Sequence, residues 1–395
     1  MPGSARITLA VGFVLVLAAW VAGSFGLPPE HRAAADIVAE VLAVPLLLLA
    51  WRYRRHRLAA AAVVVAGANL VARLGLIDDP GDLRLPLLCL FVSLAVALLA
   101  LDRDRPVWST CFAAWLALVA LALWFTAAGP LPAGDWAASV LSDPRTPVAC
   151  FAVAAAVVVG SFAIRRGAFG ASLIWVLVAC AAALLPPPGA RPESLFLTAA
   201  QLTLLAGLFE EAYRLAYHDQ LTGLPGRRAL DEAMRGLGGA FTIAMVDIDH
   251  FKRFNDRHGH DAGDQVLRMV ADELGRVGGG GRSHRYGGEE FAILFAGKRV
   301  AEVRDELETV RRAIEARRFA LRAADRPKTR PDRPKRRSTP TQKVTVTVSI
   351  GAADSNARRS SPEAVLRAAD RALYRAKKAG RNRLVAAGDR LSKNT

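Results

Sequence analysis

The chain has 395 residues, 52% of them hydrophobic, and a formal net charge of +16; a composition that apolar excludes one ordinary soluble domain and requires the hydrophobic residues to be concentrated somewhere. A balance this basic suggests nucleic acid, yet residues 326–343 alone hold eight Lys/Arg against Asp332, a net +7 of the +16, and much of the rest flanks apolar runs, which argues against a nucleic-acid polymer as partner. The four cysteines (Cys89, Cys111, Cys150, Cys180) fall within apolar stretches and lack metal-type spacing, so they read as reduced packing residues rather than a disulfide framework.

Eight apolar runs come first, near 7–26, 37–51, 58–77, 85–101, 107–128, 147–164, 171–185 and 194–209. Several reach the roughly 20 residues that cross a bilayer as a helix, while the second and seventh are short. Only Arg6 precedes the first run and no clear Ala-x-Ala site follows it, so it reads as a retained span, not a signal peptide. Basic loops (Arg52 to Arg57, Asp102 to Arg105, Arg165-Arg166) follow runs two, four and six; the intervening loops are acidic, neutral or proline-rich. The positive-inside rule then places both termini in the cytoplasm with an even number of spans, eight or, with the same parity, six. Residues 1–209 are therefore expected to form an all-α polytopic domain in contact with lipid in the inner (cytoplasmic) membrane. Glu40 and Arg73 fall at similar depth near the outer side, where they can pair, frame a ligand site or, the plainer expectation, each snorkel to the interface. No histidine lies inside a run, which argues against haem or copper held there by histidines.

Residues 210–218 read as a short helical linker, and 219–388 as a second domain followed by a flexible tail, 389–395. This domain opens with Asp219-Gln220-Leu221-Thr222-Gly223-Leu224-Pro225-Gly226-Arg227-Arg228. A strand from Phe241 to Asp247 ends in Asp247-Ile248-Asp249-His250-Phe251-Lys252, and Asn255 to Asp264 leads into a helix from about Asp261 to Val277 with one apolar face. After Gly278-Gly279-Gly280-Gly281, two β-runs (Ser283 to Tyr286 and Phe291 to Phe295) flank Gly287-Gly288-Glu289-Glu290. The glycines are expected to supply the positive φ angles of a two-residue hairpin turn; taken alone, the motif is equally a tight turn with two solvated acids. A charged helix at 301–318, a strand from Val344 to Ile350 and a helix from Pro362 to Ala379, with Gly380 placed to end it, complete the order. Between them, 325–342 is too rich in proline and charge to bury a core and reads as a disordered basic insert, with contact to an anionic lipid surface as the functional alternative.

The Asp219 motif, the Asp247 run, the Gly-Gly-Glu-Glu-Phe turn and Tyr374-Arg375-Ala376-Lys377-Lys378-Ala379-Gly380-Arg381-Asn382-Arg383 together resemble the GGDEF family of diguanylate cyclases over about 218–385. The strand-helix-strand-strand-helix-strand order is the ferredoxin-like one, and the resemblance implies the same α+β, ferredoxin-like βαββαβ core of nucleotidyl cyclases. In such a sheet the first strand pairs antiparallel with the third, so Asp247 should converge with Glu289 and Glu290. The resemblance implies that Mg²⁺ (or Mn²⁺) is held by Asp247, the Ile248 carbonyl and Glu289, with Glu290 joining a second ion. It implies Glu289 as general base and Lys252 as a phosphate-side lysine, both catalytic. Asn255, His260 and Asp264 take substrate positions, with Asn255 and Asp264 reading guanine; Lys377 and Arg381 take phosphate positions, on one helix face if the helix persists to Arg381. Each has a plainer reading: a basic helix end offsets the helix dipole, and His260 alone is a helix-start residue.

The implied activity is condensation of two GTP into cyclic di-GMP and two pyrophosphates by a homodimer of catalytic domains across a two-fold axis, under control of the membrane module. A catalytically weak domain serving as a nucleotide or partner receptor is the rival; loss of Asp247, Lys252, Asn255, Asp264 or Glu289 would have favoured it, and none is lost. A transporter with an unrelated tail is a second rival, and it leaves the C-terminal motifs unexplained. The family often carries Arg-x-x-Asp as an inhibitory product site; here Gly278 and Gly281 stand at those positions, so no inhibitory site is expected. Gly226 replaces the family's usual Asn, which weakens a turn contact rather than chemistry.

Overall fold

The computed structural model describes residues 5–25, 28–74, 84–102, 139–185, 193–320, 343–356 and 360–389. Its contacts divide into two compact units, Met1–Arg214 and Leu215–Thr395. The fifth apolar run and the basic insert fall outside the described residues, apart from the insert's flanks.

The first unit is helical: α1 (Arg6–Phe25), α2 (Pro29–Val41), α3 (Ala43–Arg52), α4 (His56–Arg73), α5 (Arg84–Leu101), α6 (Thr146–Arg165), α7 (Ala168–Leu184) and α8 (Glu193–Tyr217), whose last residues enter the second unit. Among the described residues α1, α5, α6 and α8 are long and apolar enough to cross a membrane, and α7 is a shorter apolar helix. The second run is not one helix but two, broken at Leu42. Pro45 accounts for the break: it has no N–H to give the Val41 carbonyl and its ring would clash there, whereas in the first turn of a new helix neither matters.

Two basic side chains of this unit, Arg57 and Arg165, serve the end of α5. Arg57 donates from Nε and Nη2 to the Leu99 carbonyl at 2.9 and 2.6 Å. Arg165 donates to the carbonyls of Leu101 and Asp102. The last, otherwise orphaned carbonyls of α5 are thus met by the same basic residues that set the expected orientation. Arg73 Nη1 lies 3.4 Å from Glu40 Oε1, so the two form an ion pair instead of snorkelling separately.

The second unit is built on a five-stranded sheet of order β2-β3-β1-β6-β7. Its elements are α9 (Arg227–Arg235), β1 (Phe241–Ile248), α10 (Phe251–His258), α11 (His260–Leu274), β2 (Arg282–Gly287), β3 (Glu290–Ala296), α12 (Val300–Ala316), β4 (Phe319–Ala320), β5 (Lys343–Val344), β6 (Val348–Asp354), α13 (Pro362–Lys378) and β7 (Leu384–Ala386). β1 lies between β3 and β6, antiparallel to both. The four strands β6-β1-β3-β2 are the ferredoxin-like sheet, and β7 adds parallel to β6. One face of the sheet packs α10, α11 and α12 through residues such as Val246, Phe291, Val270 and Leu307. Its other face packs α9 and α13 through Ile243, Leu294, Leu230 and Leu373. β1, covered on both sides, is buried along its whole length.

Two departures from the sequence reading are local. The strand expected from Val344 to Ile350 starts at Val348 and runs on through Gly351-Ala352-Ala353-Asp354. Its extent is set by pairing with β1 from Ile248 to Thr242, which overrides the weak strand propensity of Gly and Ala. Gly351 is needed for packing: a Cβ there would stand 2.0 Å from the Leu373 nitrogen and 2.3 Å from the Ala369 carbonyl oxygen of α13. In addition, α10 precedes the expected helix as a separate element, divided from α11 by Gly259 at φ 82°.

Candidate active site

The β1–β3 register puts Asp247 opposite Glu290, and the Ile248 N–H donates to the Glu289 carbonyl at 3.4 Å. Asp247, Ile248, Glu289 and Glu290 therefore share one end of the sheet. Gly287 and Gly288, contrary to expectation, are not in the left-handed region. A β-bulge between Arg285 and Gly287 lets Gly287 pair with Glu290 and makes the turn instead. Nothing lies within 4 Å of a Cβ placed on Gly288, so the rim of the turn is bare backbone.

Arg285 braces that turn. Its Nη2 donates to the Gly288 carbonyl at 2.8 Å and its Nη1 to Asp219 Oδ1 at 2.7 Å. Asp219 also accepts from the backbone N–H and hydroxyl of Thr222. The opening motif is thus a bracket for the hairpin, reinforced by Arg227 stacked 4.7 Å above the Tyr286 ring.

Lys377 Nζ reaches Asp247 Oδ2 at 2.8 Å, where the carboxylate is 5% exposed. Burial pushes the Asp247 carboxyl above its ordinary range and the charge of Asp249 adds to this, against the pull of Lys377 and Arg381. Glu289 is raised too, first by burial and then by Asp247 and Glu290, with Lys377 opposing. Arg381 does not share a helix face with Lys377, because α13 stops at Lys378. Gly380, Arg381 and Asn382 form a corner with φ of 109°, 62° and 46°, and a right-handed helix cannot continue through it.

Across the α10–α11 junction, Asn255 Oδ1 is buried without a hydrogen-bond partner. Gly263 makes its space: a Cβ on Gly263 would stand 1.9 Å from that oxygen. Asp264 follows, half-buried, while Lys252 and His260 are exposed in the first turns of α10 and α11. No hydrogen bond or ion pair joins Lys252, His260 or Asp264 to the carboxylate end among the described residues. In the Gly278–Gly281 turn, a Cβ on Gly281 would press on Phe295 at 2.7 Å, and one on Gly278 on the Glu306 carboxylate at 2.4 Å.

Asp249 carries no role in the motifs above. It is 8% exposed and accepts from Ser349 Oγ at 2.6 Å, Thr347 Oγ1 at 2.7 Å and the Asn382 N–H at 3.0 Å. The signal was there in an acid two residues from Asp247, but its partners are 98 or more positions away.

A search of protein families matches residues 216–383 to the family described as "Diguanylate cyclase, GGDEF domain". Residues 216–383 form a GGDEF domain. The chain is 38% identical, across 183 residues, to diguanylate cyclase DgcP of Pseudomonas aeruginosa, covering 44% of this chain and 24% of that one. It is 37% identical to diguanylate cyclase VdcA of Vibrio cholerae, covering 43% and 47%. The chain thus spans less than half the length of either relative. Among solved structures, the GGDEF domain of DgcB from Caulobacter crescentus in complex with c-di-GMP is 38% identical, with 44% of this chain and 97% of that one covered and a TM-score of 0.36.

Proposed function

We propose that the protein is a membrane-bound diguanylate cyclase that condenses two GTP into cyclic di-GMP and two pyrophosphates. The observation that carries this reading is the meeting of Asp247 and Glu289 at the sheet end. The pKa values of both carboxylates are raised, Asp247 by burial and the charge of Asp249, Glu289 by burial and the charges of Asp247 and Glu290. Carboxylates held at a buried meeting point in this way mark sites of chemistry more than of stability.

The donors at this end are all hard oxygens. Such donors suit Mg²⁺ (or Mn²⁺), an ion that takes one or two carboxylates and completes its shell with water and phosphate. Asp247, the Ile248 carbonyl and Glu289 would hold it, with Glu290 available to a second; when bound it polarises the α-phosphate and acidifies the 3′-hydroxyl. Lys377 now supplies the positive charge beside Asp247.

Glu289, with its raised affinity for a proton, would accept one from the 3′-hydroxyl. Lys252, Lys377 and Arg381 supply cationic donors for the triphosphate and for charge developing on it. The orphaned Asn255 Oδ1 offers guanine an acceptor, and the Asp264 carboxylate can receive the parallel N1–H and N2–H donors that adenine lacks. His260 takes a neighbouring substrate position. Each domain holds one GTP, so two copies must face each other across a two-fold axis. The helical first unit anchors the protein in the inner membrane, with the GGDEF domain in the cytoplasm and control exercised through the spans.

The test is the full chain in lipid nanodiscs, given GTP and Mg²⁺, with the product identified by mass spectrometry. Cyclic di-GMP from GTP and none from ATP is the expected result; no product, or equal use of ATP, overturns the reading. Orientation is tested in a background without the native cysteines: a membrane-impermeant thiol reagent on intact cells should label Ala138→Cys and spare Arg166→Cys. The reverse pattern overturns it.

A further inference from the structure

We propose that Asp249 is a positioning residue that fastens the Gly380–Asn382 corner to the end of β1 and so holds Arg381 at the carboxylate end of the sheet. The inference rests on the cyclase reading of this site. Asp247 and Asp249 are both buried and two residues apart, yet they are used differently. Asp247 faces the cationic side chain of Lys377. Asp249 has its oxygens filled by neutral donors of the fold: Oδ1 by the Ser349 hydroxyl, Oδ2 by the Thr347 hydroxyl and the Asn382 N–H. With three of its roughly four acceptor sites taken by the fold and its side chain buried, this carboxylate chiefly holds what donates to it.

What it holds is strained. Arg381 and Asn382 are consecutive non-glycine residues at positive φ, a conformation that persists only where the surroundings over-determine it. The corner is tied at three points. The Asn382 N–H goes to Asp249, the Asn382 side chain goes to Arg311 and Glu315 on α12, and the Arg381 N–H goes to the Ala376 carbonyl at 3.0 Å. Thr347 and Ser349, at the head of β6, clamp the other side of the same carboxylate. Asp249 thus joins the ends of β1 and β6 to the corner that follows α13.

If Asp249 acts through Arg381, losing both must be no worse than losing one. The experiment is a double-mutant cycle in the full chain in nanodiscs with Mg²⁺, reading affinity for a non-hydrolysable α,β-methylene GTP analogue by calorimetry, with thermal melts as a check on folding. Asp249→Ala and Arg381→Ala should each weaken binding by about tenfold, and the double variant by about tenfold rather than about a hundredfold. Asn382→Val attacks the corner from its own side, because a β-branched residue resists positive φ. It should reproduce the loss and the non-additivity with Arg381→Ala, and it serves in place of Asp249→Ala should that variant not fold. Asn382→Gly keeps the N–H and the conformation and should bind within about threefold of the unmodified protein. Multiplying losses, or full affinity in Asp249→Ala or Asn382→Val, would overturn the inference. Absence of cyclic di-GMP production with the cycle intact refutes the cyclase reading alone; failure of the unmodified protein to bind the analogue refutes both.

Discussion

Carboxylates at the end of β1 and carboxylates on the outer elements of the same unit are displaced in opposite directions. Asp247 and Glu289 are raised, chiefly by burial. Asp219 is partly buried too, but hydrogen bonds from Thr222 and Arg285 outweigh burial and lower it. Glu308 is lowered by Arg311, and Asp389, against its own burial, by the Ala386 N–H and Arg304. The second group has partners that favour the charge, so those acids stabilise the fold. In the first group Lys377 is shared between two acids, Arg381 acts on Asp247 alone, and neighbouring acids raise both. Such a site is left short of cationic partners, and that contrast separates the bracket from the candidate active site.

The largest break in the comparison comes from Glu289→Gln, which removes a charge without changing shape. Turnover should fall by about 10³-fold or more, while the melting temperature stays level or rises. Retained cyclic di-GMP synthesis would sink its assignment. Arg285→Ala should show the opposite pattern. It leaves Asp219 without its cation and the Gly288 carbonyl without a donor, at about 1–3 kcal/mol of stability, measured by urea denaturation of the GGDEF unit's transition in the full chain. Unchanged stability would mean that the bracket is ornamental. The sign with pH also differs. Asp219 is held below its ordinary 3.8, so its stabilisation is present above that value and lost as pH falls through the folded value.

Asp247 runs the other way. Its folded value lies above 3.8, so its contribution is full below 3.8 and lost as pH rises through the folded value. At neutral pH with EDTA, Asp247→Asn should therefore melt no lower than the unmodified protein, and the difference should vanish in acid. A clear loss of stability at neutral pH would show that the Lys377 pair outweighs burial.

The convergence of Asp247 with Glu289 and Glu290 was legible because both acidic runs end apolar strands, and the ferredoxin-like order fixes which strands are neighbours. The sheet followed from the same alternation. What escaped was non-local. Asp249 looks like a spare acid until β6 and the corner after α13 arrive from 98 to 133 positions away. The corner itself was misread because Lys377 and Arg381 have helical spacing, while Gly380 and two left-handed residues interrupt it. α10 was overlooked because its eight residues carry too few apolar positions to show a period. Conversely Gly287 and Gly288 were credited with a left-handed turn, where a bulge does the turning.

The smallest expected effect concerns the Gly278–Gly281 turn, where the comparison extends to a place with no carboxylate at all. Arg and Asp at those two positions would present a guanidinium and a carboxylate to product; here both are glycine. The turn is also committed to glycine by its backbone, since Gly279 and Gly280 have φ of 64° and 76°. Side chains cannot simply be restored. A Cβ on Gly278 meets the movable end of Glu306, but one on Gly281 meets the ring of Phe295, which is 1% exposed. Gly278→Arg should therefore fold normally, whereas Gly281→Asp should cost about 1–3 kcal/mol by overpacking. Initial rates of the unmodified protein should change by less than about twofold as cyclic di-GMP is added to about 10 μM, because binding at about 1 μM requires about 8 kcal/mol of contacts and bare glycine supplies little of it. Strong noncompetitive inhibition in that range would show that product is held by other residues, with Arg282 the first to replace.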